Sequence, residues 1–470
     1  MGLHLNWSSV LAAALAGTLA GCALQPPPTR ADLQRDALPN TVLPASWKAG
    51  GDSAMPSPDA WLASFGDPTL SALVAEALAY NANLQVAAAR VDQAAAFLQV
   101  ASAPMLPALS LAGTYSGKSG GGGALNALFL NASLELDVWG RLRYGEAAAQ
   151  AQSEATQADY AYARQSLAAM VAKSWFLAIE AGLRRLLVED ALRAATELQR
   201  IAQERLRIGV GNELAVAEAA ANVGSVRDLL RQTVQLRDEA VRALELLLGR
   251  YPAAEIAVAQ RLATMPAPVP IGLPSELLER RPDVIAAERR VAAAFNRVGE
   301  AKAAQLPRIG LTASLSTISS DVLVLQDRSN PAFGFGANLF APLYQGGALR
   351  AQVEVRDAEQ KQALADYARI AQSSFGEVEN ALGAEFALND REALLARAVA
   401  DNERALELVQ IQYRVGNVDL RAVEQRQLAL LQARTALLRV QTERLAQRVN
   451  LHLALGGGFD APALAAVATK

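Results

Sequence analysis

The side chains from which catalysis or metal binding is usually built are scarce in this chain, and their positions narrow their use further. Two histidines, His4 and His452, and one cysteine, Cys22, are the entire supply. His4 lies in an apolar leader and His452 in a helical run. A Cys/His nucleophile pair, a cysteine-rich zinc site and a multi-histidine metal site therefore have no residues to form from in one mature chain. Carboxylates alone can support acid–base chemistry, but no spacing of Asp and Glu recommends a pair. The sequence predicts no catalytic residue, no metal and no enzyme. What remains is conformational and electrostatic: glycines able to turn a chain at Gly209, Gly211 and Gly416, with Tyr413, Arg414, Asp419 and Glu424 beside the last of them.

Cys22 has its own context. Val10 to Ala20 is an apolar stretch too short to span a bilayer as a mature helix, and small residues follow it, which is the pattern of a signal peptide over 1–21. It ends in Leu19-Ala20-Gly21-Cys22, which resembles the lipobox of bacterial lipoproteins. That resemblance implies that Cys22 becomes the first mature residue and carries acyl chains, a covalent lipid and the only attached group expected. One departure is that residues 1–9 contain no Lys or Arg, so the usual basic segment is missing. The Pro/Gly/Ser-rich run that follows reads as an extended strap over 22–68.

The rest of the chain is written twice. Asn83 to Val91 lines up with Asp283 to Val291 at an offset of 200, and Leu106-Pro107 with Leu306-Pro307 at the same offset. Seven residues are then added to the second copy. At the resulting offset of 207, Gly140, Leu142 and Arg143 fall on Gly347, Leu349 and Arg350, Tyr160 on Tyr367, and Arg207 and Gly209 on Arg414 and Gly416. One supersecondary plan is used in repeat 1 (69–249) and again in repeat 2 (277–455), joined by a linker (250–276) and ended by a tail (456–470).

Proline placement organises each repeat. None occurs between Pro107 and Pro252 or between Pro342 and Pro462, and without proline a helix can run long. The pattern predicts long helices over 141–208 and 348–415, each about 100 Å at 1.5 Å per residue. Gly209-Val-Gly-Asn212 and Gly416-Asn-Val-Asp419 end them, and further helices follow over 213–248 and 420–455. Leu430, Leu431, Leu437, Leu438, Leu445 and Val449 recur there near coiled-coil spacing. A shorter helix precedes each long one, over about 69–103 and 283–305. Short leading and trailing helices together match the long helix, so a repeat can make two columns of equal height.

Between the short and long helices the period changes to 2. Leu109, Leu111, Gly113 and Tyr115 alternate with small or polar residues, as do Leu128, Leu130, Ala132, Leu134 and Leu136 after Gly120 to Gly123. Ile309, Leu311, Ala313 and Leu315, then Phe333, Phe335, Ala337 and Leu339, repeat the pattern. Hairpins over about 108–137 and 308–341 follow. Taken alone, each fits a bilayer-crossing strand pair or a surface hairpin on a water-soluble domain. Two hairpins make four strands, too few to close a barrel, and lipid forbids an open edge. Three chains would supply twelve strands.

Bulk composition agrees with a helical, non-nucleic-acid protein. The 44 basic and 47 acidic residues nearly balance, which argues against a dedicated nucleic-acid surface, since that would need a basic stripe. Hydrophobic residues reach 52%, largely alanine, with 5% aromatic, as in closely packed long helices. No segment after residue 22 has 18 consecutive apolar residues.

These residues resemble the TolC-type outer-membrane efflux channels, within them the OprM/NodT-like lipoprotein branch, from about Trp61 to Phe459. The most specific stretches are Trp61 to Asp67, Leu134 to Arg141 and Leu278 to Glu288, with Pro342 to Gly347 and Ala454 to Phe459 adding to them. The resemblance implies a mainly α fold with a membrane β part. Three chains would make a long α-helical barrel and a twelve-stranded transmembrane β-barrel, with an equatorial belt drawn from 250–274, the strap and the tail. It implies a homotrimer in outer-membrane lipid, a periplasmic membrane-fusion adaptor, and an inner-membrane pump of RND type.

By the same resemblance Gly209, Gly211 and Gly416 are adaptor-facing tip turns and Tyr413 helps close the tip. Glycine also simply ends helices, and Arg414 is open to a second reading as a cap on its own helix carbonyls. The family's usual aspartate nine residues after the glycine is Gln425 here. Asp419 and Glu424 are then the candidates for an acidic ring at the periplasmic gate. The function implied is a passive exit duct for small molecules. A duct for type I protein secretion and a barrel-less periplasmic helical scaffold or adaptor lipoprotein are the alternatives. The substrate is not written in the chain.

Overall fold

A computed structural model describes residues 24–50, 60–116, 125–320 and 332–458. The proposed leader, Cys22, the Gly120–Gly123 turn and the tail from 459 lie outside the described residues.

The elements follow the repeat closely. After α1 (Arg30–Ala37) and a 3₁₀ turn (Trp61–Phe65), repeat 1 contains α2 (Pro68–Tyr80), α3 (Ala82–Ser102), β1 (Ala108–Ser116), β2 (Leu125–Leu136), α4 (Arg141–Arg207) and α5 (Glu213–Leu247). Repeat 2 contains α6 (Leu277–Arg280), α7 (Pro282–Ala303), β3 (Arg308–Ser320), β4 (Ala332–Phe340), α8 (Ala348–Arg414) and α9 (Leu420–Ala454). The offset of 207 carries both ends of α4 onto α8 and both ends of α5 onto α9.

Two features differ from the sequence expectation. The strap, read as extended, contains α1, started by a capping box in which Thr29 and Asp32 bond each other's backbone amides, and ends in the 3₁₀ turn. The leading segment of repeat 1 is two helices, broken at Asn81. Its backbone is extended there (φ −68°, ψ 120°). The Asn81 amide donates to Leu247 O at 2.9 Å, and its Oδ1 accepts from the Leu84 amide at 3.1 Å, capping α3. Asparagine competes with the helix by bonding the local backbone. In repeat 2 the same break, at Arg281, is enforced by Pro282, which occupies the first position of α7.

The chain forms two compact units. One holds Met1–Thr41, Ala89–Asp159 and Asp283–Ile370, and so includes the sheet. There α7 buries Val284, Ala287, Val291, Ala294 and Val298, three or four residues apart, which is the core stripe of an amphipathic helix. In contrast, α3 buries only Leu84 and exposes Val86, Phe97 and Val100.

The other unit holds Val42–Ala88, Tyr160–Pro282 and Ala371–Lys470. Its main core packs Trp61 and Phe65 with Leu70, Trp175, Phe176 and Val449. The apolar stretch of α4 that contributes Leu167 to Ile179 is packed into this core. Asp67 organises the corner, accepting from the Thr69 and Leu70 amides at 2.9 and 3.1 Å and from Trp175 Nε1 at 2.7 Å. His452 is buried, its ring stacked on Trp61 at 5.5 Å, so this histidine is core. The linker is tied down by polar contacts: Trp47 Nε1 donates to Gly272 O at 3.2 Å, and the buried Arg448 donates to Pro266 O at 2.9 Å.

Candidate functional site

The sheet is the first functional surface. Its order is β1-β2-β3-β4, all antiparallel, which leaves β1 and β4 as edges among the described residues. Register decides the chemistry of its two faces, because side chains alternate along each strand. Leu111 pairs with Leu130, Leu130 with Leu315, and Leu315 with Phe333, so the apolar positions of all four strands fall on one face. That face stands open, with Leu109 73% and Phe335 89% exposed. The opposite face carries Ser110, Asn131, Ser133, Thr312, Ser314 and Asn338 at the alternate positions. On it Ser314 lies over Gly334 and Thr312 over Gly336, where an added Cβ would sit 2.8 and 2.9 Å from the hydroxyl oxygens. An apolar band backed by hydroxyls and amides is the division of faces in a membrane strand with a wet interior.

The corner below β2 explains the stretch from Leu134 to Arg141. Arg141 grips Glu135 through three contacts of 2.9–3.1 Å. Asp137 accepts from the Leu142 and Arg143 amides at 2.9 and 3.0 Å and from Arg143 Nε at 3.1 Å, serving donors that the start of α4 leaves unsatisfied. Trp139 Nε1 donates to Pro307 O at 2.8 Å and the ring is 42% exposed. Tyr344, at the matching corner of repeat 2, is exposed as well. Aromatic rings with a polar tip at strand ends suit a membrane–water boundary.

The second surface is the pair of helix-end turns. Gly209 N–H bonds Leu206 O at 3.0 Å and Val210 N–H bonds Arg205 O at 2.9 Å; Gly416 N–H bonds Tyr413 O at 3.2 Å and Asn417 N–H bonds Gln412 O at 2.9 Å. Both are Schellman ends with glycine in the left-handed region, φ 75° at Gly209 and 82° at Gly416. These bonds, rather than the exposed Arg414, satisfy the last carbonyls of α8. Gly211 is required for space: an added Cβ would lie 2.8 Å from Leu206 N.

Beneath the turns lies a small core of Leu198, Ala202, Ala219, Leu420 and Val423, with Tyr413 packed against it. Arg205 sits over the Tyr413 ring, 4.9 Å from its centroid. The Asp419 carboxylate accepts from the Ala422 amide at 3.0 Å and caps α9, as Asn212 caps α5 at the repeat-equivalent position. Glu424 is half-buried, and its Oε1 has no hydrogen-bond partner among the described residues. Burial raises its pKa, a hydrogen bond from Asn222 opposes the rise, and the nearby charges of Glu218 and Asp419 add to it. The structure thus groups Asp419 and Glu424 electrostatically and adds Arg205, Glu218 and Asn222. Spacing marks none of these three, because Arg205 meets Tyr413 across from α4 to α8, and Glu218 and Asn222 meet Glu424 across from α5 to α9.

A chain with a lipid-compatible sheet, two open strand edges, two long helices and paired helix-end turns is a subunit of an outer-membrane duct. The comparisons agree. The family described as outer membrane efflux protein matches residues 73–250 and 273–457. The cation efflux system protein CusC of Escherichia coli K12 is 30% identical over 454 residues, covering 94% of this chain and 97% of that protein. The pyoverdine export outer membrane protein OpmQ of Pseudomonas aeruginosa is 31% identical over 438 residues, 89% of this chain and 92% of its own. Among solved structures, the outer-membrane channel OprN superposes with a TM-score of 0.81 at 27% identity, covering 93% of this chain and 99% of that one. A CusC crystal structure gives 0.78 at 28%, covering 89% and 99%.

The chain belongs to the outer membrane efflux protein family. It is the outer-membrane channel component of a tripartite efflux system, of the OprM/NodT type. Its fold is mainly α with a tandem repeat, of the class in which three chains contribute four strands each to a twelve-stranded barrel.

Proposed function

We propose that this channel is a passive exit duct for small solutes, fed by an inner-membrane pump of RND type and opened from its periplasmic tip by a membrane-fusion adaptor. The observation that carries the reading is the sheet: one continuous apolar face, one polar face and two edges unpaired among the described residues. In lipid those edges must be paired, and copies of the same chain supply the partners. The open face of α3, with Phe97 and Val100 exposed, supports the same association. The polar sheet face lines the duct, and solutes pass it without being transformed.

The adaptor docks on the turns built by Gly209, Gly211 and Gly416, and the gate behind them is formed by Tyr413, Arg414, Asp419 and Glu424. Cys22 carries the acyl anchor; each buried methylene of an acyl chain contributes about 0.8 kcal/mol. Cargo is selected by the pump. Relatives of nearly equal identity are named for cations (30%), pyoverdine (31%) and toluene (29%), so one duct design serves unlike solutes.

The test is biochemical. Unboiled mild-detergent extracts should run as a trimer from the outer-membrane fraction and conduct in planar bilayers; a stable water-soluble monomer overturns the reading. Cys22→Ala should abolish palmitate incorporation and leave helical content intact. Unchanged labelling would remove the anchor from it.

A further inference from the structure

The polar face of the sheet is almost free of charge. Among its described side chains only Glu135 and Arg308 are ionisable. Glu135 is already committed to Arg141, and Asp137, at the corner just beyond, is committed to Arg143 and two backbone amides. Arg308 has no such commitment: no hydrogen bond or ion pair joins it to another described residue, and its Nε is buried without a partner. A buried guanidinium N–H left unmatched is unfavourable, and native proteins rarely tolerate one without a reason.

The surroundings of Arg308 indicate what would match it. It lines a cleft of about 720 Å³ at the base of the sheet, within the size range of small-molecule sites. Phe340, its cross-strand partner in the β3–β4 register, forms one wall with Leu106, while Ser133, Thr312 and Asn338 supply hydroxyl and amide groups. A planar guanidinium fork selects a planar anion with two oxygens. A half-exposed aromatic ring beside it selects a flat apolar body, which stacks offset or edge-on.

We propose that Arg308 and Phe340 form a binding station for aromatic carboxylates on the polar face of the sheet, repeated once per chain. It rests on the reading of that face as the lumen. The carboxylate accepts from the two Nη groups along one edge of the Arg308 guanidinium, the ring lies against Phe340 and Leu106, and the hydroxyl and amide groups solvate its rim. With Glu135 neutralised by Arg141, the station holds one net positive charge per chain, and a ring of such charges favours anions in a pore.

The experiment is calorimetric titration of the intact detergent-solubilised trimer with 2-naphthoate, with inorganic phosphate and 2-naphthalenemethanol as the charge-only and ring-only probes. Saturable naphthoate binding is expected, with the other two weaker by about tenfold or more. Arg308→Gln should weaken naphthoate by about tenfold or more, and Phe340→Ala by about threefold. Unchanged affinity in Arg308→Gln, or phosphate binding as tightly as naphthoate, overturns the proposal. Should Arg308→Gln not assemble, Arg308→Lys keeps the charge without the planar fork and must still weaken binding; equal affinity there overturns it as well. A separate measurement isolates the lumen reading. In liposomes, Thr312→Cys should react with a bilayer-impermeant maleimide while Leu311→Cys is shielded. The reverse pattern defeats that reading and the station with it. The expected pattern without naphthoate binding defeats the station alone.

Discussion

The guanidinium of Arg205 lies over the ring of Tyr413 at 4.9 Å, joining the last turns of α4 and α8 just before their glycine ends. A cation over an aromatic face is worth about 0.5–2 kcal/mol, depending on desolvation. Because Tyr413 also rests on the small core under the turns, this contact holds two repeats together where the duct is proposed to close. Tyr413→Ala is expected to raise single-channel conductance in planar bilayers, while Tyr413→Phe, which keeps the ring, stays near wild type. Equal conductance in all three would separate Tyr413 from closure.

Glu424 gives the region of the helix-end turns a pH dependence of defined direction. Its folded-state pKa is raised by burial and by the charges of Glu218 and Asp419, so the folded protein binds this proton more readily than the unfolded chain. Stability contributed here is present at low pH and is lost as pH rises from the ordinary carboxylate value of 4.5 through the raised folded value. Glu424→Gln should therefore raise the melting temperature at pH 7, with the gain disappearing below pH 4.5. A gain of the same size at both pH values would assign the effect to something other than ionisation.

Much of this was legible in the sequence because the duplication is itself a measurement. The two copies constrain each other, and the 207-residue offset places four helix ends without further assumption. The faces of the sheet were equally readable, since Leu109, Leu111 and their counterparts alternate with period 2. The break at Asn81 was not, because in repeat 1 it is made by an asparagine that bonds Leu247 O, a residue 166 positions away, whereas Pro282 announces the equivalent break locally. The glycines of the helix-end turns could be found, but Arg205, Glu218 and Asn222 could not: their contacts depend on which helix faces are brought together, and no local spacing encodes that. Arg308 is likewise unmarked in the sequence, one arginine at a strand start whose place opposite Phe340 only the register gives.

Buried His452 predicts acid sensitivity of the unit that contains the linker. It is 3% exposed and stacked on Trp61, its ring nitrogens lack partners among the described residues, and burial together with neighbouring Arg448 lowers its pKa from 6.5 to about 4. The folded state holds it neutral while the unfolded chain takes up a proton, so its contribution is present above pH 6.5 and lost as pH falls toward 4. The full loss is on the order of 3 kcal/mol. His452→Phe, which keeps a ring against Trp61, should flatten denaturant-midpoint curves over that window. A pH profile identical to wild type would contradict this assignment.

The two glycines of the first turn should respond differently to substitution, because they are there for different reasons. Gly209 needs a left-handed backbone (φ 75°) but has open space around it. Asparagine tolerates that conformation, so Gly209→Asn should be nearly silent, while Gly209→Ala should cost about 1–2 kcal/mol of local stability. Gly211 needs room: an added Cβ would lie 2.8 Å from Leu206 N and 2.9 Å from Arg205 C, and these are backbone atoms that cannot rotate away. Gly211→Ala must therefore displace the turn, at a cost of about 1–3 kcal/mol. Hydrogen exchange at the Gly209, Val210 and Gly211 amides, whose bonds to the end of α4 define the turn, reports the damage directly, and co-purification with the adaptor reports its consequence. Gly211→Ala should accelerate exchange and weaken adaptor capture, with Gly209→Asn doing neither. Adaptor capture unaffected by an accelerated, displaced turn would move the docking surface away from this end of the chain.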